Sequence, residues 1–236
     1  MDKVDRIFQK EISKKFSFDS EVASVFDNMI ERSIPYYKDN INLIARFLES
    51  KNYYSICDMG CSTGNLLLHL SSMKSFKSKK LVGIDNSPYM LDLAKAKSKA
   101  YGANIEFIQS DILDFNFDFD VVISNYTLQF IRPPYRLELI KKIYNSINDF
   151  GCFILSEKLI CENKQLDIDL TNLYYRFKKE NGYSATEISK KREALENILI
   201  PYSQSENINL LKDSGFNCVE VIFRWANFAT FIAIKN

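Results

Sequence analysis

Residues 55–65 read SICDMGCSTGN and give the strongest indication of the fold of this chain. A short apolar run ends in an acid, Asp58, and a turn that holds Gly60 and Gly64 leads into a leucine-rich helix start. The next apolar run, LVGID at 81–85, ends in a second acid, Asp85, which suits the two hydroxyls of a ribose. This order predicts a doubly wound, Rossmann-like α/β sheet that binds a nucleoside.

The charge of the turn indicates which nucleoside it binds. In a dinucleotide fingerprint the middle glycine lets the backbone approach a pyrophosphate, which the helix N-terminus stabilises. Ser62 occupies that position here and hinders the approach, and Asp58 would repel a phosphate but attract a cation. S-adenosyl-L-methionine carries an ammonium and a sulfonium group and no phosphate, so the turn favours it over NAD.

Composition excludes several classes of function. The 236 residues hold 31 Lys and Arg against 30 Asp and Glu, so we expect no direct nucleic-acid binding. No segment is apolar enough for a membrane span or a signal peptide, and we therefore expect a cytoplasmic protein without membrane association. Five cysteines without a C-x-x-C pair, and the single histidine His69 on a predicted helix, predict free thiols and no metal site.

The periodicity along the chain predicts one domain, 1–236, with two elaborations. Strands expected at 54–59, 81–85, 105–109, 119–124 and 152–157 alternate with helices, which indicates a parallel sheet. A terminal hairpin at 219–225 and 228–234 is typical of the methyltransferase variant of this fold. Residues 1–50 are expected to form a helical cap, and 161–200 a helical insertion that covers the ligand mouth or forms a dimer surface.

Polar residues at other strand ends should face the same crevice. Asp111 and Asn125 follow successive strands, where an adenine and a sulfonium could be contacted. Turn chemistry or a helix cap explains each of them alone, but their joint placement favours ligand contacts. The pair Lys191-Arg192 is either a solvated helix face or a site for a carboxylate, to which guanidinium offers a bidentate fork.

Motifs along most of the chain resemble those of carboxy-S-adenosyl-L-methionine synthases. The matching segments are residues 18–27, 29–30, 32–37, 58–62, 84–88, 125–130, 155–158, 177–178, 181–184, 187–189 and 195–197. They include the cap and the insertion, which generic methyltransferases do not share. Thr63 and Asn65 depart mildly from the family pattern, and the segment before Phe18 is not recognisable.

The resemblance implies a homodimeric enzyme that transfers a carboxyl group from prephenate to S-adenosyl-L-methionine, giving carboxy-S-adenosyl-L-methionine and phenylpyruvate. A separate tRNA carboxymethyltransferase would then use this product on the wobble uridine (cmo5U34). Carried over to this chain, the implied ligand contacts are Tyr37, Gly60, Cys61, Ser62, Asp85, Asn86, Asp111, Ile112, Asn125 and Arg192. The charge argument adds Asp58 to this set.

Arg192 and Tyr37 are the candidate catalytic residues. Arg192 would hold the added carboxylate, in its own pocket or in that of a partner subunit, and Tyr37 or the donor itself would handle the methyl proton. Two alternatives stay open on sequence: an ordinary S-adenosyl-L-methionine-dependent methyltransferase, and a non-catalytic subunit that binds a derivative of S-adenosyl-L-methionine. The cap and Arg192 count against the first, and the complete pocket counts against the second.

Overall fold

The computed structural model describes residues 4–9 and 16–235 of the chain. The parts of the predicted cap at 1–3 and 10–15 lie outside the described residues, as does position 236. A short 3-10 helix, Ile7–Gln9, precedes the first α-helix.

A single sheet runs through the described residues. Its strands are β1 Ser55–Met59, β2 Lys80–Asp85, β3 Glu106–Gln109, β4 Val121–Asn125, β5 Cys152–Ile160, β6 Tyr202–Ser203, β7 Cys218–Trp225 and β8 Phe228–Ile234. The order is β3-β2-β1-β4-β5-β8-β7, with β6 beside β5. Strands β1 to β5 pair in parallel, whereas β8 is antiparallel to β5 and β7. The predicted doubly wound fold with a terminal hairpin is confirmed, and its strand order reverses between β1 and β4, where such sheets bind ligands.

Helices cover both faces of the sheet. They are α1 Ser20–Ala23, α2 Phe26–Ser33, α3 Tyr37–Glu49, α4 Asn65–Ser72, α5 Pro88–Tyr101, α6 Pro133–Ser146, α7 Lys164–Glu180, α8 Ala185–Leu195 and α9 Gln204–Asp213. Helix α5 shows how the sequence sets their limits: the Ser87 side chain caps its first turn, and Gly102 ends it with φ of +61°. Within the described ranges, no helix has the length and apolar character needed to cross a bilayer.

Alternation along the buried strands divides the core into two layers, because successive strand side chains point to opposite faces. Ile56 and Ile123 pack with α3 and α4 on one face, and Cys57 and Val122 pack with α6 and α9 on the other. A third cluster joins α1 and α2 of the cap to Met90 on α5. All five cysteines lie in the described part of the chain and are free thiols.

Several predicted strand ends are shifted by one or two residues, the largest of these shifts being the start of β4 at Val121 instead of 119, and two features differ further. Strand β5 continues to Ile160 rather than ending at Glu157, because Lys158 pairs with Phe228 of β8 and Leu159 pairs with Tyr202 of β6. Strand β6 itself was not expected. Both depend on partners distant in sequence, which a local pattern does not show. The extension matters, because it carries Lys158 into the crevice at the strand ends.

Candidate functional site

A cavity of about 310 Å³ opens at the carboxyl ends of β1, β2, β4 and β5. Helices α2 and α3 of the cap close one side of it, and α7 and α8 of the insertion close another. The predicted site residues that line it are Tyr37, Asp58, Gly60, Cys61, Ser62, Asp85, Asn86, Asp111, Ile112 and Asn125. Residues from the strand ends, the cap and the insertion therefore meet in one place.

The turn after β1 is shaped by Gly60. The N–H groups of Gly60 and Cys61 both donate to the carbonyl oxygen of Ile84 on β2, at 2.7 and 2.9 Å. Gly60 has φ of +72°, and a Cβ atom there would lie 2.3 Å from Cγ2 of Thr127. Glycine is therefore required twice, by the backbone conformation and by the close approach of the loop after β4.

Asp85 is held in a fixed orientation at the end of β2. Its Oδ2 accepts from the N–H of Ser62 and its Oδ1 from the N–H of Ser87, both at 2.9 Å. Burial raises the pKa of Asp85, and these two backbone donors act in the opposite direction. Because a carboxylate has about four lone-pair sites, each oxygen can still accept from a ligand hydroxyl.

Asp58 and Asn125 present unpaired acceptors to the cavity. Within the described residues no donor reaches Oδ1 of either side chain, although Asp58 is only 3 % exposed. Burial, reinforced by the charge of Asp85, raises the pKa of Asp58 well above its usual range. A bound cation would lower that pKa and favour the carboxylate, while supplying the missing donors. This end of the cavity is suited to a cationic ligand.

Tyr37 opens α3 and lies beside Tyr126, with ring centroids 6.4 Å apart. Burial and the charge of Asp58 raise the pKa of the Tyr37 phenol far above neutrality. At neutral pH the side chain therefore offers a hydroxyl group to a ligand rather than a phenolate that could remove a proton.

Asn86 and Asp111 lie at the exposed rim of the cavity. Asp111 Oδ1 accepts from the N–H of Leu113 at 2.9 Å, so the side chain also stabilises its own turn. Ile112, by contrast, is buried and presents an apolar surface to the cavity. A polar rim above an apolar floor is suited to an adenine ring, which has polar edges and apolar faces.

Asp27 on α2 fastens the cap to the glycine turn, a role that sequence reasoning missed. Its Oδ1 accepts from Thr63 Oγ1 at 2.5 Å and from Asn65 Nδ2 at 2.9 Å, and its Oδ2 accepts from Lys97 Nζ at 2.8 Å. Burial alone would raise the pKa of Asp27, but the bonds from Lys97 and Thr63 outweigh burial and lower it. The departures at Thr63 and Asn65 from the family pattern were the available signal.

A second missed feature is a buried polar network behind Tyr126. Asn40 Nδ2 donates to Ser156 Oγ at 3.2 Å, and Asn40 Oδ1 accepts from Thr230 Oγ1 at 2.7 Å. Ser156 and Thr230 also bond to each other at 2.9 Å. The network joins α3 of the cap to β5 and β8 of the sheet.

Arg192 does not lie in the cavity of its own chain. It is 62 % exposed, with its Nη2 3.8 Å from Glu193 Oε1. Its neighbour Lys191 lines the cavity instead, together with Lys158 from the extended end of β5. Of the basic pair predicted at 191–192, only Lys191 therefore faces the chain's own site.

Comparison with known proteins agrees with this geometry. A family model described as a methyltransferase domain matches residues 56–151. A carboxy-S-adenosyl-L-methionine synthase of Nautilia profundicola is 52 % identical over 236 residues, covering 98 % of this chain and 99 % of that protein. One of Helicobacter hepaticus is 51 % identical over 238 residues with the same coverage. The similarity therefore extends through the cap and the insertion.

Among solved structures, human N-acetylserotonin methyltransferase in complex with SAM superposes with a TM-score of 0.65 at 17 % identity. The match covers 92 % of this chain and 55 % of that one. At this level of identity the likeness supports the fold alone.

Proposed function

Because the chain belongs to the carboxy-S-adenosyl-L-methionine synthase family, we propose that it carboxylates the sulfonium methyl group of S-adenosyl-L-methionine. The curated relatives, about half identical over nearly their full length, carry the name of this activity. We propose prephenate as the carboxyl donor. The products are then carboxy-S-adenosyl-L-methionine, phenylpyruvate and water.

One observation carries the proposal: the same cavity joins two acids to two lysines. Asp58 and Asp85 suit the cationic nucleoside at one end, and Lys158 and Lys191 line the other. A methyltransferase that acts on a neutral nucleophile does not need ammonium groups in the cavity of the methyl donor. An enzyme that binds an anionic carboxyl donor does need such cations.

The reaction balances without a further reactant. The bond between the ring of prephenate and its ring carboxylate breaks, the electron pair enters the ring, and the ring hydroxyl leaves as hydroxide. Aromatisation drives this step. The hydroxide takes a proton from the sulfonium methyl group and becomes water, and the resulting ylide carbon attacks the released carbon dioxide to form the carboxymethyl group.

The donor's own hydroxide is the base that this cavity supports best. Tyr37 stays a proposed ligand contact, because its raised pKa keeps it a phenol near neutral pH. The walls include Phe18, Phe130 and Phe228. Such an apolar lining excludes the bulk water that would otherwise protonate the ylide.

Arg192 stays the proposed contact for the newly added carboxylate. Because its guanidinium is exposed outside its own cavity, we place that contact in the cavity of the second protomer of a homodimer. A charge-assisted bond of this kind contributes about 1.5–3 kcal/mol. We further propose that the product leaves for a separate enzyme that carboxymethylates the tRNA wobble uridine.

Incubation with S-adenosyl-L-methionine and prephenate tests the reaction directly. We expect phenylpyruvate, followed by its absorbance, and a nucleoside heavier than S-adenosyl-L-methionine by one carbon dioxide, identified by mass spectrometry. Omission of either substrate is the control. If S-adenosylhomocysteine accumulates with an acceptor instead, the chain is a methyltransferase. If neither product forms although both substrates bind, it is a binding subunit.

A genetic measurement tests the link to tRNA. Deletion of the gene for this chain should abolish the carboxymethoxy group on the wobble uridine in digests of total tRNA. Restoring the gene should restore the modification. Unchanged levels of the modified nucleoside in the deletion strain would contradict this part of the proposal.

A further inference from the structure

Three lysines from three elements converge on the insertion side of the cavity. Lys158 comes from β5, Lys178 from α7 and Lys191 from α8. Lys178 is 5 % exposed and Lys191 is 6 % exposed, and Lys158 and Lys191 line the cavity. Positive charge is thus concentrated in a chain whose overall net charge is only +1.

Aromatic rings and one hydroxyl surround these ammonium groups. The Tyr174 ring is in contact with two of them: Lys178 Nζ lies 4.5 Å from its centroid and Lys158 Nζ lies 5.4 Å from it. Lys191 Nζ donates to Ser33 Oγ at 2.6 Å. Across the described residues, none of the three ammonium groups forms a salt bridge with a carboxylate.

A buried ammonium without a counter-ion is costly, and ring contacts offset only a part of that cost. Burial lowers the pKa of all three lysines, that of Lys191 to about 8, and the charges of Lys191 and Lys158 lower that of Lys178 further. Two acids act in the opposite direction, Asp5 on Lys191 and Asp167 on Lys158. Three ammonium groups thus stand against two acids, and an anion from outside the chain would stabilise the charged forms of the lysines.

The sheet order separates this cluster from the nucleoside end. Strand β5, which carries Lys158, is two strands from β1 and three from β2. At about 4.8 Å between neighbouring strands, Lys158 lies about 10 Å or more along the sheet from the ends that carry Asp58 and Asp85. This separation of the strand ends leaves room for a second molecule between the lysines and the nucleoside.

We propose that Lys158, Lys178 and Lys191 form an anion subsite for a carboxylate of the carboxyl donor. This inference rests on the proposed function and extends it to the second substrate. Lys158 and Lys191, which line the cavity, would contact the anion, and Lys178 would support them from its place beside the Tyr174 ring.

The chemistry selects which carboxylate is held. The carboxylate that leaves becomes neutral carbon dioxide, so a cation bound to it would stabilise the ground state more than the transition state and slow the reaction. The retained side-chain carboxylate keeps its charge throughout. The lysines therefore hold the retained carboxylate, and the departing one faces the aromatic wall. It follows that phenylpyruvate, which keeps that carboxylate, binds the same subsite.

Binding to the protein saturated with S-adenosylhomocysteine tests the subsite without turnover, because that nucleoside has no methyl group to carboxylate. The probes are prephenate and phenylpyruvate, measured by calorimetry. We expect Lys158→Met and Lys191→Met each to weaken both probes about ten- to a hundredfold, with S-adenosylhomocysteine affinity changed less than about twofold. Lys179→Met, on the exposed face of α7, is the matched control and should change neither.

Each remaining outcome counts for or against the subsite. Unchanged prephenate affinity in both variants, with wild-type turnover intact, overturns it and leaves the proposed function standing. Equal weakening of S-adenosylhomocysteine also overturns it, because the lysines would then hold the methionyl carboxylate. Absence of phenylpyruvate from the wild-type reaction removes the proposed function itself. If Lys158→Met does not fold, Lys158→Arg and Lys158→Gln replace it. Only Lys158→Arg should then bind prephenate and phenylpyruvate with an affinity near that of the wild type.

Discussion

At position 60 even an alanine methyl group would collide with Thr127, 2.3 Å from the ideal Cβ position. Gly102, at the end of α5, has a similar positive φ of +61°, but nothing lies within 4 Å of its missing Cβ. Comparison of the two glycines therefore distinguishes the free-energy cost of a strained backbone from the cost of steric overlap by an added Cβ atom. Both would strain the backbone as alanine, but only Gly60 would also push apart the loops that form the cavity.

We expect Gly102→Ala to lower the free energy of unfolding by about 1 kcal/mol, the cost of left-handed backbone for a residue with a Cβ. Gly60→Ala should cost about 1–3 kcal/mol more, as overpacking does, and should also weaken S-adenosyl-L-methionine binding. Urea denaturation and calorimetry measure the two effects. Equal losses of stability in the two variants, with full ligand affinity in Gly60→Ala, would show that the Thr127 side chain can move away from an added methyl group at little cost in free energy.

Glu157 is a buried acid that the reaction does not use. It is 1 % exposed, and within the described residues its Oε1 has no hydrogen-bond donor. Burial raises its pKa from the ordinary 4.5 to about 8, although the charge of Arg136 opposes the shift. Between these values the folded protein keeps a proton that the unfolded chain has released, so stability falls as pH rises from about 4.5 to about 8.

Glu157→Gln should remove this dependence, because the amide stays neutral at every pH. We expect the free energy of unfolding of the wild type to fall by a few kcal/mol, about 1.4 kcal/mol per pH unit at most, across the interval, and that of the variant to fall less. Above pH 8 the variant should be the more stable protein. Urea denaturation at pH 5, 7 and 8.5 measures both. Parallel curves for the two proteins would count against a protonated Glu157.

The local sequence pattern predicts most strands of the sheet, but it does not predict the end of β5 or the short strand β6. Strand β8, expected at 228–234, has those bounds in the structure, because an apolar run between turn residues defines it locally. The sequence pattern predicts an end of β5 at Glu157, three residues short, because the pairing of Lys158 with Phe228 and of Leu159 with Tyr202 is not visible locally. A local sequence pattern reflects the strand propensity of a segment, whereas the residue at which a strand ends also depends on the strands that pair with it.

The contact of α2 with the glycine turn is likewise a product of tertiary structure. Asp27 receives three side-chain donors from two other segments, and none of them is near it in sequence. The Asp27 carboxylate is 41 % exposed and Lys97 is 24 % exposed, so solvent screens the ion pair. The hydrogen bond from Thr63, at the turn itself, is the part that links the cap to ligand binding.

We expect Asp27→Ala to lower the free energy of unfolding by about 1–2 kcal/mol near pH 7 and to weaken S-adenosyl-L-methionine binding, since the turn loses its anchor. Because the pKa of Asp27 is lowered, this contribution is present above pH 3.8 and is lost as pH falls below it. Asp92→Ala, an exposed acid on α5, is the control. Denaturation at pH 7 and pH 3 should show a difference between the variants that shrinks at the lower pH.

The site is assembled from three regions of the chain: the strand ends, the cap and the insertion. The strand-end residues from Asp58 to Asn125 could be predicted because a doubly wound sheet always brings these ends together. Lys158 and Asn40 could not, because their roles depend on how the insertion and the cap close over the sheet. Arg192 is the remaining case, since its motif indicates a ligand contact but its position lies outside its own cavity.

If the chain forms the proposed homodimer, a mixed dimer decides which cavity Arg192 serves. In Arg192→Ala the cavity keeps Asp85 but the protomer has no guanidinium to donate, and in Asp85→Asn the reverse holds. We expect each variant alone to form carboxy-S-adenosyl-L-methionine slowly. If Arg192 reaches the second protomer, a dimer of one chain of each kind contains one complete site, built from the Asp85 of one chain and the Arg192 of the other.

Co-expression with two affinity tags isolates that mixed dimer, and phenylpyruvate release measures its activity. One complete site of two should give about half of the wild-type rate, well above either parent, because the sites are otherwise equivalent. Gel filtration of the wild type and of each parent measures whether they form the proposed dimer. Activity no higher than the mean of the parents would contradict a contact across the dimer and leave Arg192 without a role in the partner's cavity.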